Sequence, residues 1–148
     1  MNLIDQINQH KYLELDELGE PDENVLRIVV SEAIVSEETE DLNTGYTIIS
    51  GLHPIISDET CCSYEFIFDH YVAYAVLNFS YADGDPNDPN NGLLLRTYPT
   101  SEFLDYVRQT TIATEVYPGR FVHYKIVCLR HVIEVASVSE PLIAQIVL

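Results

Sequence analysis

Residues 64–81 read YEFIFDHYVAYAVLNFSY, and this stretch decides the fold class. Aromatic and β-branched side chains dominate it, which is the composition of β-strands. The stretch is too long for one average strand. We therefore expect two extended segments joined by a bend or tight turn near Asp69 and His70.

The chain beyond this stretch predicts more β-structure. Residues 83–92 (DGDPNDPNNG) combine Gly, Pro, Asn and Asp, which is typical of a loop. Residues 93–98 predict a short strand, and residues 121–138 predict two strands with a tight connection near Leu129. The tail, residues 142–148, is apolar, so we expect it to be docked on the domain rather than free.

One helix is predicted on this side of the chain, over residues 101–113. Thr100 or Ser101 is suited to cap its first turn. Glu102 and Asp105 lie in that first turn, where the helix dipole favours negative charge.

The chain before the opening stretch predicts less regular structure. Residues 2–18 are ambiguous, since the first apolar positions suit a short helix and the later ones alternate as in a strand. Residues 14–23 are very acidic and contain Gly and Pro, which predicts a solvated loop. Residues 24–35 predict a strand followed by an acidic loop at 37–41. Residues 46–56 predict a second strand, interrupted by a Gly and a Pro.

Together these patterns predict an α+β fold, a mostly antiparallel β-sheet with one main helix (about residues 101–113) packed on it. The length of 148 residues fits one domain with a substantial core. Within that domain we expect an acidic N-terminal segment, residues 1–23, and a sheet-plus-helix core, residues 24–148.

The charge is the unusual feature of the composition. The chain has 24 acidic and 7 basic side chains, a net charge of −17. Such a field repels nucleic acid and anionic lipid, and it attracts basic partners. We therefore expect a protein partner, no nucleic acid and no membrane. An acidic surface with no dedicated partner is the alternative.

The cysteine pattern favours a reducing compartment. Cys61, Cys62 and Cys128 form an odd set, and adjacent cysteines rarely bridge one another because the ring is strained. The first ten residues lack the features of a secretory signal, and no apolar run reaches about 18 residues. The sequence thus predicts a cytoplasmic protein.

No metal or cofactor site is predicted. Asp83 and Asp85 begin a spacing used by calcium loops, but the Gly and the Glu that such a loop needs are missing further on. Cys128 and His131 are three residues apart, which places them on opposite faces of an extended chain.

No catalytic site is predicted either. The one nucleophile and base pair worth considering is Cys61 or Cys62 with His70, and acidic neighbours disfavour a reactive thiolate there. We expect a protein that is not an enzyme, although a small hydrolase with an unmarked site is an alternative.

Partner-binding residues are predicted on the acidic loops and on exposed aromatic strands. Tyrosine suits interfaces because it joins a large apolar area to a polar tip, although most tyrosines of a sheet are simply half-buried. The predicted set is Glu37, Glu38, Glu40, Asp41, Asp83, Asp85, Asp88, Tyr71 and Tyr74.

Six short motifs lie between residues 71 and 141 of the chain: residues 71–74 (YVAY), 78–81 (NFSY), 103–106 (FLDY), 123–124 (HY), 131–135 (HVIEV) and 139–141 (SEP). With these motifs the chain resembles a group of small acidic bacterial proteins of uncharacterised function. Some members of the group look like immunity proteins that accompany secreted polymorphic toxins. The resemblance spans about residues 24–143.

The resemblance implies an inhibitor or immunity protein that neutralises a cognate, basic toxin domain. It assigns no functional residues. Charge would set the rate of association with such a partner, and a few aromatic anchors would set the rate of dissociation. The alternative is an interaction module that pairs through a sheet edge or forms a homodimer, with no toxin partner.

Overall fold

Two antiparallel sheets face one another across the main core in the computed structural model, which describes residues 1–148. The first sheet has the strand order β1-β2-β6-β11, with β5 added beside β2, and the second has the order β7-β10-β9-β8. A separate two-stranded unit, β3-β4, lies between β2 and β5 in the chain. The helices are α1 (Leu3–Gln9) and α2 (Glu102–Thr110), and the strands are β1 (Tyr12–Asp22), β2 (Val25–Val35), β3 (Glu40–Asn43), β4 (Ile48–Leu52), β5 (Ile55–Ile56), β6 (Ser63–Phe68), β7 (Tyr71–Asn78), β8 (Leu95–Tyr98), β9 (Val122–Val127), β10 (His131–Ser137) and β11 (Leu142–Ile146).

The core between the sheets follows from the two-residue period of the strands. In β2 the alternate side chains from Leu26 to Val30 are fully buried, and the aromatic residues of β6 pack beside them. The second sheet adds apolar side chains from β9 and β10. Each such side chain contributes about 1.5–3 kcal/mol by leaving water. The contributing residues are Leu26, Ile28, Val30, Tyr64, Phe66, Phe68, Tyr124, Ile126, Ile133 and Val135.

The outer face of the second sheet is covered in part by α2. Ser101 caps this helix, because its hydroxyl accepts a hydrogen bond from the Leu104 backbone N–H at 3.1 Å. Leu104 and Val107 are buried against Phe121 and Ala136. These contacts form a second, smaller core on the outer face.

The predicted fold class is confirmed, since the chain is mostly antiparallel β-structure with helix packed on it. The turn predicted inside residues 64–81 lies at Asp69 and His70, between β6 and β7. These two strands belong to different sheets, so the turn carries the chain across the sandwich. Residues 142–146 of the apolar tail are docked as the edge strand β11 beside β6, whereas Val147 and Leu148 are exposed.

Several local predictions differ from the structure. The acidic stretch 14–23 is not a loop, since most of it lies in β1, paired antiparallel with β2. Breaks in register after Leu15 and Gly19 let the strand accommodate Pro21 at its end, where no further strand needs the missing N–H. The loop predicted at 37–41 already enters β3.

The two helices also depart from the prediction. The ambiguous N-terminus forms the helix α1 first and then the strand β1, which makes α1 a second helix. The main helix ends at Thr110, before Ala113, because Thr111 leaves the helical conformation and its hydroxyl bonds the Val107 carbonyl. Neither helix has the length and apolarity needed to cross a bilayer.

Candidate interaction surface

A long β-hairpin, residues 36–54, projects from the end of the first sheet, and we call it the arm. The pairs Ile34–Ile56 and Val35–Ile55 join β2 to β5 at its base. The Ser36 backbone N–H donates to the Pro54 carbonyl at 2.8 Å and closes the base. Beyond this point β3 pairs only with β4.

Both faces of the arm are uncovered. Every residue from 37 to 53 is exposed, although five of these residues have large apolar side chains. Soluble domains rarely leave such side chains clustered in water, and a two-stranded hairpin without a packed face is marginally stable. The arm is therefore a cluster of apolar side chains that nothing in the chain covers. The apolar residues are Leu42, Tyr46, Ile48, Ile49 and Leu52, which are 38–100% exposed.

The arm also carries charge of one sign only. It carries the predicted residues Glu37, Glu38, Glu40 and Asp41, and none of the four is in an ion pair. The chain has no Lys or Arg between Arg27 and Arg96. Nothing on the arm offsets its negative charge.

The few basic side chains are mostly neutralised elsewhere. Arg27 lies 2.6 Å from Glu65 and 2.5 Å from Glu17, and Arg130 lies 2.8 Å from Glu14. Arg96, Arg108 and Lys125 are each within 3.6 Å of a carboxylate. Five of the seven basic residues are therefore paired, which leaves the field of the arm unopposed.

The other predicted acidic residues lie in a different place. Asp83, Asp85 and Asp88 border a cleft of about 790 Å³ on the outer face of the second sheet, and no arm residue lines it. Asp83 and Asp85 are exposed. Asp88 is only 11% exposed, because its carboxylate turns inward to accept a hydrogen bond from Tyr98 and lies 3.6 Å from Arg96. The Tyr98 hydrogen bond lowers the pKa of Asp88.

The floor of this cleft contains a buried histidine that sequence reasoning left unassigned. His123 packs between the rings of Tyr98 and Phe103, which are tilted from it by 32° and 43° with ring centroids 5.0 and 4.9 Å away. Its Nδ1 lies 2.9 Å from the Ser101 hydroxyl. Burial, assisted by the charge of Lys125, lowers the pKa of His123 to about 4. A neutral, buried imidazole of this kind is a weak base, so it serves packing better than proton transfer at neutral pH.

The two predicted tyrosines lie where strand β7 of the second sheet approaches strand β1 of the first. Tyr71 and Tyr74 are half-buried and pack edge-to-face, with ring centroids 5.2 Å apart. The hydroxyls of both tyrosines donate hydrogen bonds to the carboxylate of Glu20 in β1. The bond from Tyr71 raises the pKa of Tyr71 to about 12. The pair thus links β7 to β1, and both rings keep part of their surface exposed.

The considered pair of Cys61 or Cys62 with His70 does not form. His70 lies at the exposed turn beside Asp69, with 3.2 Å between Nδ1 and Oδ1. The Cys61 thiol donates to Asp58. Cys62 instead belongs to a cluster of three potential ligands with His10 and Glu32.

Sequence reasoning missed this cluster because its members are far apart in the chain. One local signal was present. The inward positions of β2 carry Leu26, Ile28 and Val30, and the next inward position carries the charged Glu32. A carboxylate at an inward-facing strand position loses hydration, so its presence there points to a compensating partner or ligand.

Comparisons of the chain with protein-family models, with curated proteins and with solved structures found no match.

Proposed function

We propose that this chain is a non-enzymatic binding protein that neutralises a basic protein, in the manner of an immunity protein acting on a toxin domain. The single observation that carries the proposal is the arm, residues 36–54. It combines unpaired carboxylates with uncovered apolar side chains.

The two components of the arm suit two stages of binding. The net charge of −17 raises the rate at which a basic partner is encountered, because long-range attraction steers diffusion. The apolar side chains then supply short-range affinity. Leu42 and Ile49 are cross-strand partners on one face, and Tyr46 is fully exposed at the tip. Burying each of them contributes about 1.5–3 kcal/mol, which acts mainly on dissociation.

The test is binding to a basic toxin domain encoded beside this chain's gene, measured by surface plasmon resonance at several salt concentrations. Neutralising the four arm acids (E37Q, E38Q, E40Q and D41N together) is expected to lower the association rate by about tenfold at low salt. Y46A is expected to raise the dissociation rate with little effect on association.

A matched control keeps the net charge equal but leaves the arm intact. Four exposed acids outside it, none of them in an ion pair, are changed together to glutamine: Glu23, Glu59, Glu115 and Glu140. This control is expected to keep most of the association rate. An arm variant that binds as fast as the control, or binding with no dependence on salt, contradicts the proposal.

A second candidate function is self-association through β11. This strand is an open edge of the first sheet, and residues 142–148 (LIAQIVL) have no charged side chain. Leu142, Val147 and Leu148 are 67%, 98% and 69% exposed. Uncharged open edges tend to pair with another strand.

Salt separates the two candidates. Two copies at −17 repel each other, so added salt promotes a homodimer, whereas it weakens binding to a basic partner. Light scattering across a salt series measures the mass directly. A monomer at all salt concentrations removes the second candidate.

A further inference from the structure

A polar cluster closes one end of the core where helix α1 meets the first sheet. It consists of His10, Glu32 and Cys62, whose potential ligand atoms all lie within 4.8 Å of one another. It is the one group of three or more such side chains in the chain. The three residues come from α1's C-cap, from β2 and from the residue before β6.

The backbone holds two of these residues in fixed relation. The Glu32 N–H donates to the Cys62 carbonyl at 2.8 Å, and the Cys62 N–H donates to Glu32 Oε1 at 3.2 Å. His10 ends α1, where its own N–H bonds the Ile7 carbonyl. A cluster supported by paired strands and a helix end is preorganised for a ligand.

The imidazole of His10 is oriented from both sides. Its Nδ1 lies 2.9 Å from Glu32 Oε2, and its Nε2 lies 2.6 Å from the Tyr64 hydroxyl oxygen. That hydroxyl also accepts a hydrogen bond from the Gln6 amide at 2.9 Å. Histidines that bind metals have this arrangement, with one nitrogen toward the ion and the other donating to a fixed neighbour.

We propose that His10, Glu32 and Cys62 bind one Zn²⁺ ion, through His10 Nδ1, a carboxylate oxygen of Glu32 and the Cys62 thiolate, with water as the fourth ligand. Thiolate, imidazole and carboxylate together suit zinc, whereas magnesium and calcium prefer oxygen ligands alone. The side chains of His10 and Glu32 are 12% and 22% exposed, so the ion and the water have access from solvent.

The charges and protons balance in this site. The Cys62 thiol releases its proton to solvent and the neutral imidazole moves its proton to Nε2, which then donates to Tyr64. One thiolate and one carboxylate offset the two charges of the ion. The ion thereby compensates the lost hydration of the Glu32 carboxylate, which lies at an inward-facing position of β2.

The geometry needs a small adjustment. Tetrahedral zinc places its N, O and S ligands about 3.4–3.6 Å apart. The contact of 2.9 Å between His10 and Glu32 must open, and any pair of ligand atoms near the 4.8 Å limit must close by up to about 1.4 Å. Side-chain rotation provides such movement without a change in the strands.

The test uses the full chain without a histidine tag, with Zn²⁺ and with Co²⁺ as a spectroscopic substitute. Equilibrium dialysis is expected to give one Zn²⁺ per chain. Co²⁺ is expected to show a thiolate-to-metal charge-transfer band. C62S is expected to abolish that band and to weaken Zn²⁺ binding by about 100-fold or more, and H10Q by about tenfold or more.

Cys61 provides a matched control, since it is the adjacent thiol and bonds Asp58 instead. C61S is expected to retain both the band and the affinity. In the unaltered chain, Zn²⁺ is expected to protect one thiol from a disulfide reagent while Cys61 stays reactive. This readout requires no variant to fold.

Two results overturn the proposal. One is the absence of stoichiometric Zn²⁺ and of thiol protection in the unaltered chain, which would make the cluster a hydrogen-bond network alone. The other is equal loss of binding in C61S and C62S, which would place the ion elsewhere.

Discussion

The acidic loops predicted at residues 37–41 and 83–92 lie on the arm and at the cleft, and they differ in one carboxylate. Asp83 and Asp85 stay exposed like the arm acids, whereas Asp88 does not. Glu37, Glu38, Glu40 and Asp41 remain exposed and unpaired on the arm. At the cleft, Asp88 is drawn inward to Tyr98 and Arg96 beside a buried histidine. An acidic run alone therefore does not define a binding surface. A carboxylate stays available to a partner only where no basic or hydroxyl-bearing side chain of the same chain lies close enough to bind it.

The largest expected effect is a pH dependence of stability that belongs to the cleft and not to the arm. The folded chain holds the pKa of His123 near 4, against 6.5 for an unperturbed histidine. Below pH 6.5 the unfolded chain takes up a proton that the folded chain cannot. Stability from the neutral imidazole is thus complete above pH 6.5 and is lost as pH falls toward 4.

Between pH 7 and pH 5 this loss amounts to about 2 kcal/mol. Urea unfolding at the two pH values measures it. H123Q is expected to remove the dependence, whereas H53Q at the base of the arm keeps it. A slope that is the same in H123Q and in the unaltered chain would show that the site is open to solvent.

The next effect compares one acid from each region. D88N weakens the hydrogen bond from Tyr98 and loses the attraction to Arg96, so we expect a cost of about 1 kcal/mol. E40Q removes a carboxylate that no partner holds, so the free energy of unfolding is expected to stay within about 0.5 kcal/mol. Denaturant titrations of both variants check this difference. Equal costs would mean that the arm's carboxylates are also held.

The smallest effect concerns the arm as a whole. Neutralising its four acids together is expected to leave stability unchanged or to raise it by a few tenths of a kcal/mol, because like charges no longer repel. Thermal unfolding at low salt gives the measurement. A clear loss of stability would show that the arm's charges hold the fold rather than face a partner.

Sequence reasoning predicted the parts of the fold that follow from local preference. The aromatic and β-branched stretch of β6 and β7 and the capped helix α2 are examples, since each needs only its own residues. It left the first half of β1 ambiguous between helix and strand, and it missed the second half, where Gly19 and Pro21 disfavour a strand. There a tight turn with Asn24 at a φ of 57° pairs the stretch with β2. Pairing with the neighbouring strand β2 therefore outweighs the low strand preference of these residues.

The candidate surfaces were harder to predict. The acids of the arm were named, but its apolar side chains were assigned to an ordinary strand, because their exposure depends on the absence of a covering layer. The cluster of His10, Glu32 and Cys62 joins positions that only the completed sheet brings together. Such contacts depend on topology rather than on spacing in the sequence.

The stretch without Lys or Arg has a practical consequence for anyone handling this protein. The most exposed chain in the molecule offers no cleavage site to trypsin, which cuts after basic residues, so the arm stays within one fragment, residues 28–96. Amine-reactive cross-linkers also find no lysine there. A glutamate-specific protease has targets at residues 37, 38 and 40, so protection from it by a bound protein would report occupancy of the arm directly.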